Sequence, residues 1–244
     1  MTQRYDWCTP LYEECRTSLP SRSLGCPSAS KRKRSKAGAI SSSVVGRSVT
    51  GMTSEPLGSS VAAWEHHGAR QGFEVVFFGS DGSGSLSGCT TAVEAGEAFA
   101  VEYEIVLDAR SCTRSARVVC RSSTGRSVVS IAADGRGHWT INGTAAPHLD
   151  GCLDVDLESS ALTNAFPVRR LRLSPGEQAD APAAYVRALD AEVERLEQRY
   201  RRLDDAAGRS RYDYCAPAFD FRCDLVYDGS GLVIDYPGIA RRAR

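Results

Sequence analysis

Lysine is almost missing from this chain. All three lysines, Lys31, Lys33 and Lys36, sit in one basic run, KRKRSK, and beyond residue 51 the Lys/Arg count is arginine alone. Residues 1–51 carry nine Lys/Arg against three Asp/Glu, which leaves 21 against 27 for the remaining 193. Over the whole chain the charges cancel at 30 against 30, so no global basic field points to nucleic acid. No stretch approaches the ~18 apolar residues of a membrane-spanning helix. No apolar segment of the signal-peptide kind follows Met1.

Several motifs are missing too. The nine cysteines include no C-x-x-C pair, which argues against a zinc knuckle or a redox dithiol. A reducing cytoplasm fits, with Cys120, Cys152 and Cys223 as small buried hydrophobes in strand-like runs. Adjacent His66 and His67 would leave a strand on opposite faces and could not chelate one metal together. There is no G-x-S-x-G nucleophile elbow. The glycines of GSDGSGSLSG (79–88) lack dinucleotide spacing, and no helix opens after them, so a hairpin loop is expected.

The first 51 residues are serine-rich, basic and aperiodic, and read as a disordered head, with Met52 as an alternative start. KRKR within it could serve as an import or anionic-surface tag. Residues 52–244 read as one β-rich domain. FAVEYEIVLD (99–108) alternates with Phe99, Val101, Tyr103, Ile105 and Leu107 on one face. Two hairpins are expected, over 127–143 with Asp134-Gly135 at the turn and over 219–238 with Asp228-Gly229.

These hairpins look like copies, 94 residues apart. YEIVLDA (103–109) is echoed by YVRALDA (185–191), and Phe73 of FEVV by Phe166 of FPVR. The expectation is a mainly β, antiparallel, barrel-like fold built from two repeated halves, about 61–146 and 150–239. One segment differs. Val193, Leu196, Tyr200 and Leu203 recur at spacings of three and four, predicting a short helix near 191–204 after a strand at 183–189.

The chemistry concentrates in GCLDVDLESSALTNAFPVRRLRL (151–173). On a strand, Leu153, Val155 and Leu157 would face the core. Asp154 and Asp156 would then share the other face, roughly 6–7 Å apart. Three readings are open. The aspartates could pair with Arg169 or Arg170 across strands and fix register. They could hold a polar ligand, together with Thr163 and Asn164 at a turn before Phe166-Pro167. They could act as acid and base in a glycoside hydrolase. Trp139, Tyr236, Tyr212 and Tyr214 are candidates to line a pocket or stack on a sugar face.

The ordered blocks GHWTING, LDGCLDVDL, LTNAFPVRRL, EQRYRRL and RYDYCAPAFDFRCDLVYDGSGLVIDYPG resemble those of the putative glycolipid-binding family of bacterial proteins. The resemblance runs from about Trp64 to Arg242. It implies a barrel-like fold with an internal repeat and a cleft for a glycolipid or similar amphiphile, held without metal or organic cofactor. Asp154, Asp156, Thr163, Asn164, Arg169 and Arg170 would supply hydrogen bonds, with Trp139 and Tyr236 as further ligand contacts. The inward faces of 99–107 and 219–227 would supply apolar surface. Two departures stand out. Ala161 and Ala165 replace the proline and second threonine usual in the Thr-Asn block, and Cys112 replaces an aromatic before TRSARV.

Overall fold

The computed structural model describes residues 60–80 and 83–243. The proposed head, KRKR and the start at Met52 lie outside the described residues.

The first half of the chain is an antiparallel meander of eight strands: β1 (Val61–His66), β2 (Arg70–Phe78), β3 (Ser85–Glu94), β4 (Glu97–Leu107), β5 (Thr113–Ser122), β6 (Gly125–Ala133), β7 (Trp139–Ile141) and β8 (Thr144–Ala145). A short strand β9 (Asp154–Leu157), a 3-10 turn (Leu162–Asn164) and helix α1 (Ala165–Leu171) follow. The second half contributes β10 (Gln178–Asp180), β11 (Ala183–Val186), β12 (Val193–Leu196), β13 (Arg199–Arg202), β14 (Ser210–Ala216), β15 (Phe221–Tyr227), β16 (Val233–Tyr236) and β17 (Ala240–Arg242).

Fourteen of these strands form one sheet, in the order β10-β13-β14-β15-β16-β17-β1-β2-β3-β4-β5-β6-β7-β8. The two halves meet where β1 pairs with β17, Trp64 opposite Arg242. The remaining three strands form a small sheet, β12-β11-β9, in which β9 and β11 run parallel. The protein is thus mainly β, with one short α-helix among the described residues.

The alternation of β4 holds. Phe99, Val101, Tyr103, Ile105 and Leu107 are buried while Glu102 and Glu104 face out, as a pleat with one packed face requires. Both expected hairpins form, and their loops share one device. Asp134 Oδ1 accepts the backbone N–H of Arg136 and His138. Asp228 Oδ1 accepts those of Ser230 and Leu232. Asp108, between β4 and β5, does the same for Arg110 and Cys112. A short carboxylate that satisfies two amides of a tight loop explains aspartate at all three positions.

The segment expected to be helical near 191–204 is instead β12 and β13. Leu196, Gln198, Tyr200 and Arg202 point inward at a period of two. Because two of these inward residues are polar, apolar spacing imitated a helix. The echo between Phe73 and Phe166 likewise joins unlike structures, a strand and a helix.

The β2 strand reverses its apparent polarity. Phe73 and Phe77 are 52% and 58% exposed, whereas Glu74 is wholly buried. Tyr103 reaches it from β4, donating to Glu74 Oε1 at 2.6 Å. That reach depends on Gly88, opposite Tyr103 in the ladder. A Cβ there would stand 2.4 Å from the tyrosine ring and hydroxyl.

Candidate functional site

Residues 152–168 are mostly buried and are pinned from both halves of the large sheet. From the first half, Thr113 accepts the Val155 N–H at 3.0 Å and its own N–H donates to Leu153 O at 2.9 Å. Thr90 Oγ1 donates to Ser159 O at 2.9 Å and Arg70 Nη1 to Glu158 O at 2.7 Å. Glu74 accepts from the Ser160 hydroxyl and, at 2.8 Å, from the Ala161 N–H. From the second half, the Tyr227 hydroxyl donates to Asn164 O at 3.2 Å, and Arg169 Nη1 from α1 donates to Ser230 O at 2.5 Å.

All four residues of β9 are buried, so its aspartates need partners inside the protein. They find different ones. Arg170, in the last turn of α1, grips Asp154 at two points, Nε to Oδ1 at 3.2 Å and Nη2 to Oδ2 at 2.5 Å. Burial pushes the Asp154 carboxyl upward and the arginine draws it back. Asp156 receives only neutral donors. Thr163 Oγ1 donates to its Oδ1 at 2.7 Å, and Gln198 Nε2 donates to its Oδ2. Burial raises its pKa from 3.8 to about 6, with Asp154 and Glu158 adding repulsion and the Thr163 and Gln198 bonds opposing. Asn164 lies in the same network, its Oδ1 accepting from the Tyr200 hydroxyl at 2.9 Å.

Asp156, Ser160 and Asn164 form the buried floor of a cleft of about 860 Å³, within the usual range of small-molecule sites. Its aromatic wall comes from the second half. Tyr214, Phe221 and Tyr236 stand edge to face with centroids 6.0–6.2 Å apart, and Tyr185 packs on Phe219 at 5.5 Å. The first half supplies Arg70 and Glu94. Polar groups at the base of a cleft with an aromatic side can take hydroxyls at one end and hydrocarbon along the other. Among the described residues no three His, Cys, Asp or Glu side chains group as metal ligands.

The family model described as putative glycolipid-binding matches residues 61–242. The chain belongs to that family. It is also similar to the crystal structure of a DUF1089 family protein from Pseudomonas aeruginosa, at 32% identity and a TM-score of 0.57, over 81% of this chain and 98% of that one. A beta-barrel-like protein of domain of unknown function DUF1849 from Brucella abortus aligns at 8% identity and a TM-score of 0.47, over 75% of this chain and 95% of that one. No curated protein matches. Membership of the putative glycolipid-binding family supports a ligand-binding role. Among the described residues no helix is long and apolar enough to cross a membrane.

Of the residues singled out in the sequence, Asp156, Asn164, Tyr214 and Tyr236 line the cleft. Thr163 is bonded to Asp156, and the turn expected at Thr163-Asn164 is a 3-10 turn over Leu162–Asn164. Asp154, Arg169 and Arg170 do not reach the cleft lining. Trp139 also lies elsewhere, its indole N–H donating to Cys152 O at 2.8 Å within the core. Tyr212 packs against Tyr227. Cys120 and Cys152 are buried, the latter just before β9, and Cys223 is half-buried on β15.

The family departures have physical consequences. An N–H is present at Ala161 where a proline would have none, and it meets Glu74. Ala165 is fully buried and outside the cleft lining. Cys112 is buried, its N–H held by Asp108.

Sequence reasoning missed Glu74, Gln198 and Tyr200 as parts of the site. EQRYRRL carried a usable signal, an inward Gln-x-Tyr-x-Arg alternation hidden by its polarity.

Proposed function

We propose that the protein binds a glycolipid-like amphiphile in this cleft, as a non-enzymatic carrier or sensor. The reading rests chiefly on one observation. A cleft of about 860 Å³ carries Asp156, Ser160 and Asn164 at its buried base and an aromatic wall beside them. The headgroup would exchange hydrogen bonds with the base, and the hydrocarbon would lie along Tyr214, Phe221 and Tyr236. No metal or organic cofactor is called for.

The two aspartates take separate roles here. Asp154 is held by Arg170 away from the cleft lining, whereas Asp156 is part of that lining, so Asp156 is the one of the two that would face a ligand. This division favours binding over paired acid–base chemistry, because the two groups do not share an open site.

Native mass spectrometry on protein incubated with a total bacterial lipid extract tests the reading. A discrete added mass is expected, released by organic solvent and carrying both sugar and acyl chain. Protein that stays at its bare mass after that incubation contradicts it.

A further inference from the structure

The cleft is not electrically even. Three arginines line it, and each is already engaged. Arg70 Nε lies 3.0 Å from Glu94 Oε2. Arg187 Nη1 lies 2.8 Å from Glu194 Oε1, and Arg195 Nε lies 2.6 Å from Glu197 Oε1. The carboxylates in the lining outnumber these cations, since Asp156, Glu158, Asp190 and Glu192 line it as well as Glu94 and Glu194.

Asp156 is the most telling of them. It is only 8% exposed, and its hydrogen-bond partners are a hydroxyl and an amide. Each of its oxygens has accepted one bond from these partners and can accept another. An opposite charge close by favours the ionised form of a buried carboxylate, and none of the arginines lining the cleft is bonded to Asp156. The Tyr214, Phe221 and Tyr236 rings line the same cleft, and aromatic faces attract cations and repel anions. A phosphate or sulfate headgroup would meet six carboxylates here, against three arginines that each already stand beside a glutamate.

We infer that the cleft selects an amphiphile whose headgroup carries an amine, such as an amino sugar, with the ammonium bonded to Asp156 and flanked by the aromatic wall. The inference rests on the cleft being the amphiphile site. It narrows the ligand class from sugars in general to cationic ones.

Titration calorimetry near neutral pH with octyl glucosaminide, octyl glucoside and octyl phosphate, each below micelle formation, tests this. The chain is the same in all three, so differences report the headgroup. Octyl glucosaminide should bind at least about tenfold more tightly than octyl glucoside, with octyl phosphate weakest. In Asp156→Asn the preference of the amine over the glucoside should disappear. Equal affinities in the wild type, or tighter binding of glucoside or phosphate, would overturn the amine assignment while leaving the amphiphile site in place. Failure of all three probes to bind would overturn both.

Discussion

Asp154 and Asp156 leave the same strand two residues apart, and only Asp154 is met by an arginine. Arg170 closes on it with two bonds, whereas Asp156 is held by Thr163 and Gln198. One carboxylate fastens helix α1 to β9, and the other stays available to the cleft.

Removing the arginine should therefore cost stability rather than binding. Arg170→Ala leaves Asp154 buried at 2% exposure without its counter-charge, for an expected loss of about 3–5 kcal/mol. Replacing both partners, Asp154→Leu with Arg170→Met, should recover most of that loss. Urea unfolding midpoints of the single and double variants check this. A single variant as stable as the wild type would show that the pair contributes nothing.

Asp156 should behave in the opposite sense. Its carboxyl titrates at 3.8 when unperturbed and at about 6 when folded. Between these values the folded state holds the extra proton, so this group's contribution to stability declines as pH rises. Above pH 6 the charged group costs about 3 kcal/mol, from about 1.4 kcal/mol per unit. Asp156→Asn removes the titration. It should match the wild type near pH 4 and exceed its stability near pH 7, as expected of a group kept for function. Unfolding free energies measured across that range decide it, and a difference independent of pH would count against the assignment.

Gly88 has a defined purpose in the same framework. The side chain of Gly88→Ala would collide with Tyr103 and push its hydroxyl off Glu74. A loss of about 1–3 kcal/mol is expected from overpacking, with more if the Glu74 carboxylate loses its donor. Thermal unfolding of the variant, compared with a Gly96→Ala control whose Cβ meets nothing within 4 Å, reads the difference. The control is strained by its positive φ, so Gly88→Ala must exceed it.

The wall should bind without bracing the fold. Phe221 is only half-buried and stands between Tyr214 and Tyr236. Phe221→Ala should weaken amphiphile binding by about tenfold, or about 1.4 kcal/mol, with a smaller change in unfolding free energy. Calorimetry with octyl glucosaminide and a denaturant melt separate the two effects.

Much of this was legible in the sequence. Alternation exposed β4, and Asp-Gly pairs marked two hairpins. A pairing of Asp154 or Asp156 with Arg169 or Arg170 was to be expected because buried charges need partners, but Arg170 alone meets Asp154, and it does so from a helix rather than across strands. What stayed hidden has a single cause, polar residues placed inward. Glu74 sits in FEVVFF, where its apolar neighbours imitate a core face, yet the glutamate faces in and two phenylalanines face out. Gln198 and Arg202 occupy inward strand positions, so apolar spacing in 193–203 counterfeited a helix. The long-range bonds from Glu74 to Ser160 and from Gln198 to Asp156 join residues 86 and 42 positions apart. No local pattern encodes such distances.

A heteronuclear NMR titration of the full chain with octyl glucosaminide decides whether the cleft is the ligand site. Saturable shifts are expected at the amides of Asp156, Ser160 and Asn164 and of Tyr185, Tyr214 and Tyr236. Shifts confined to the outward face of β2, around Phe73 and Phe77, or no shifts at all, would contradict it.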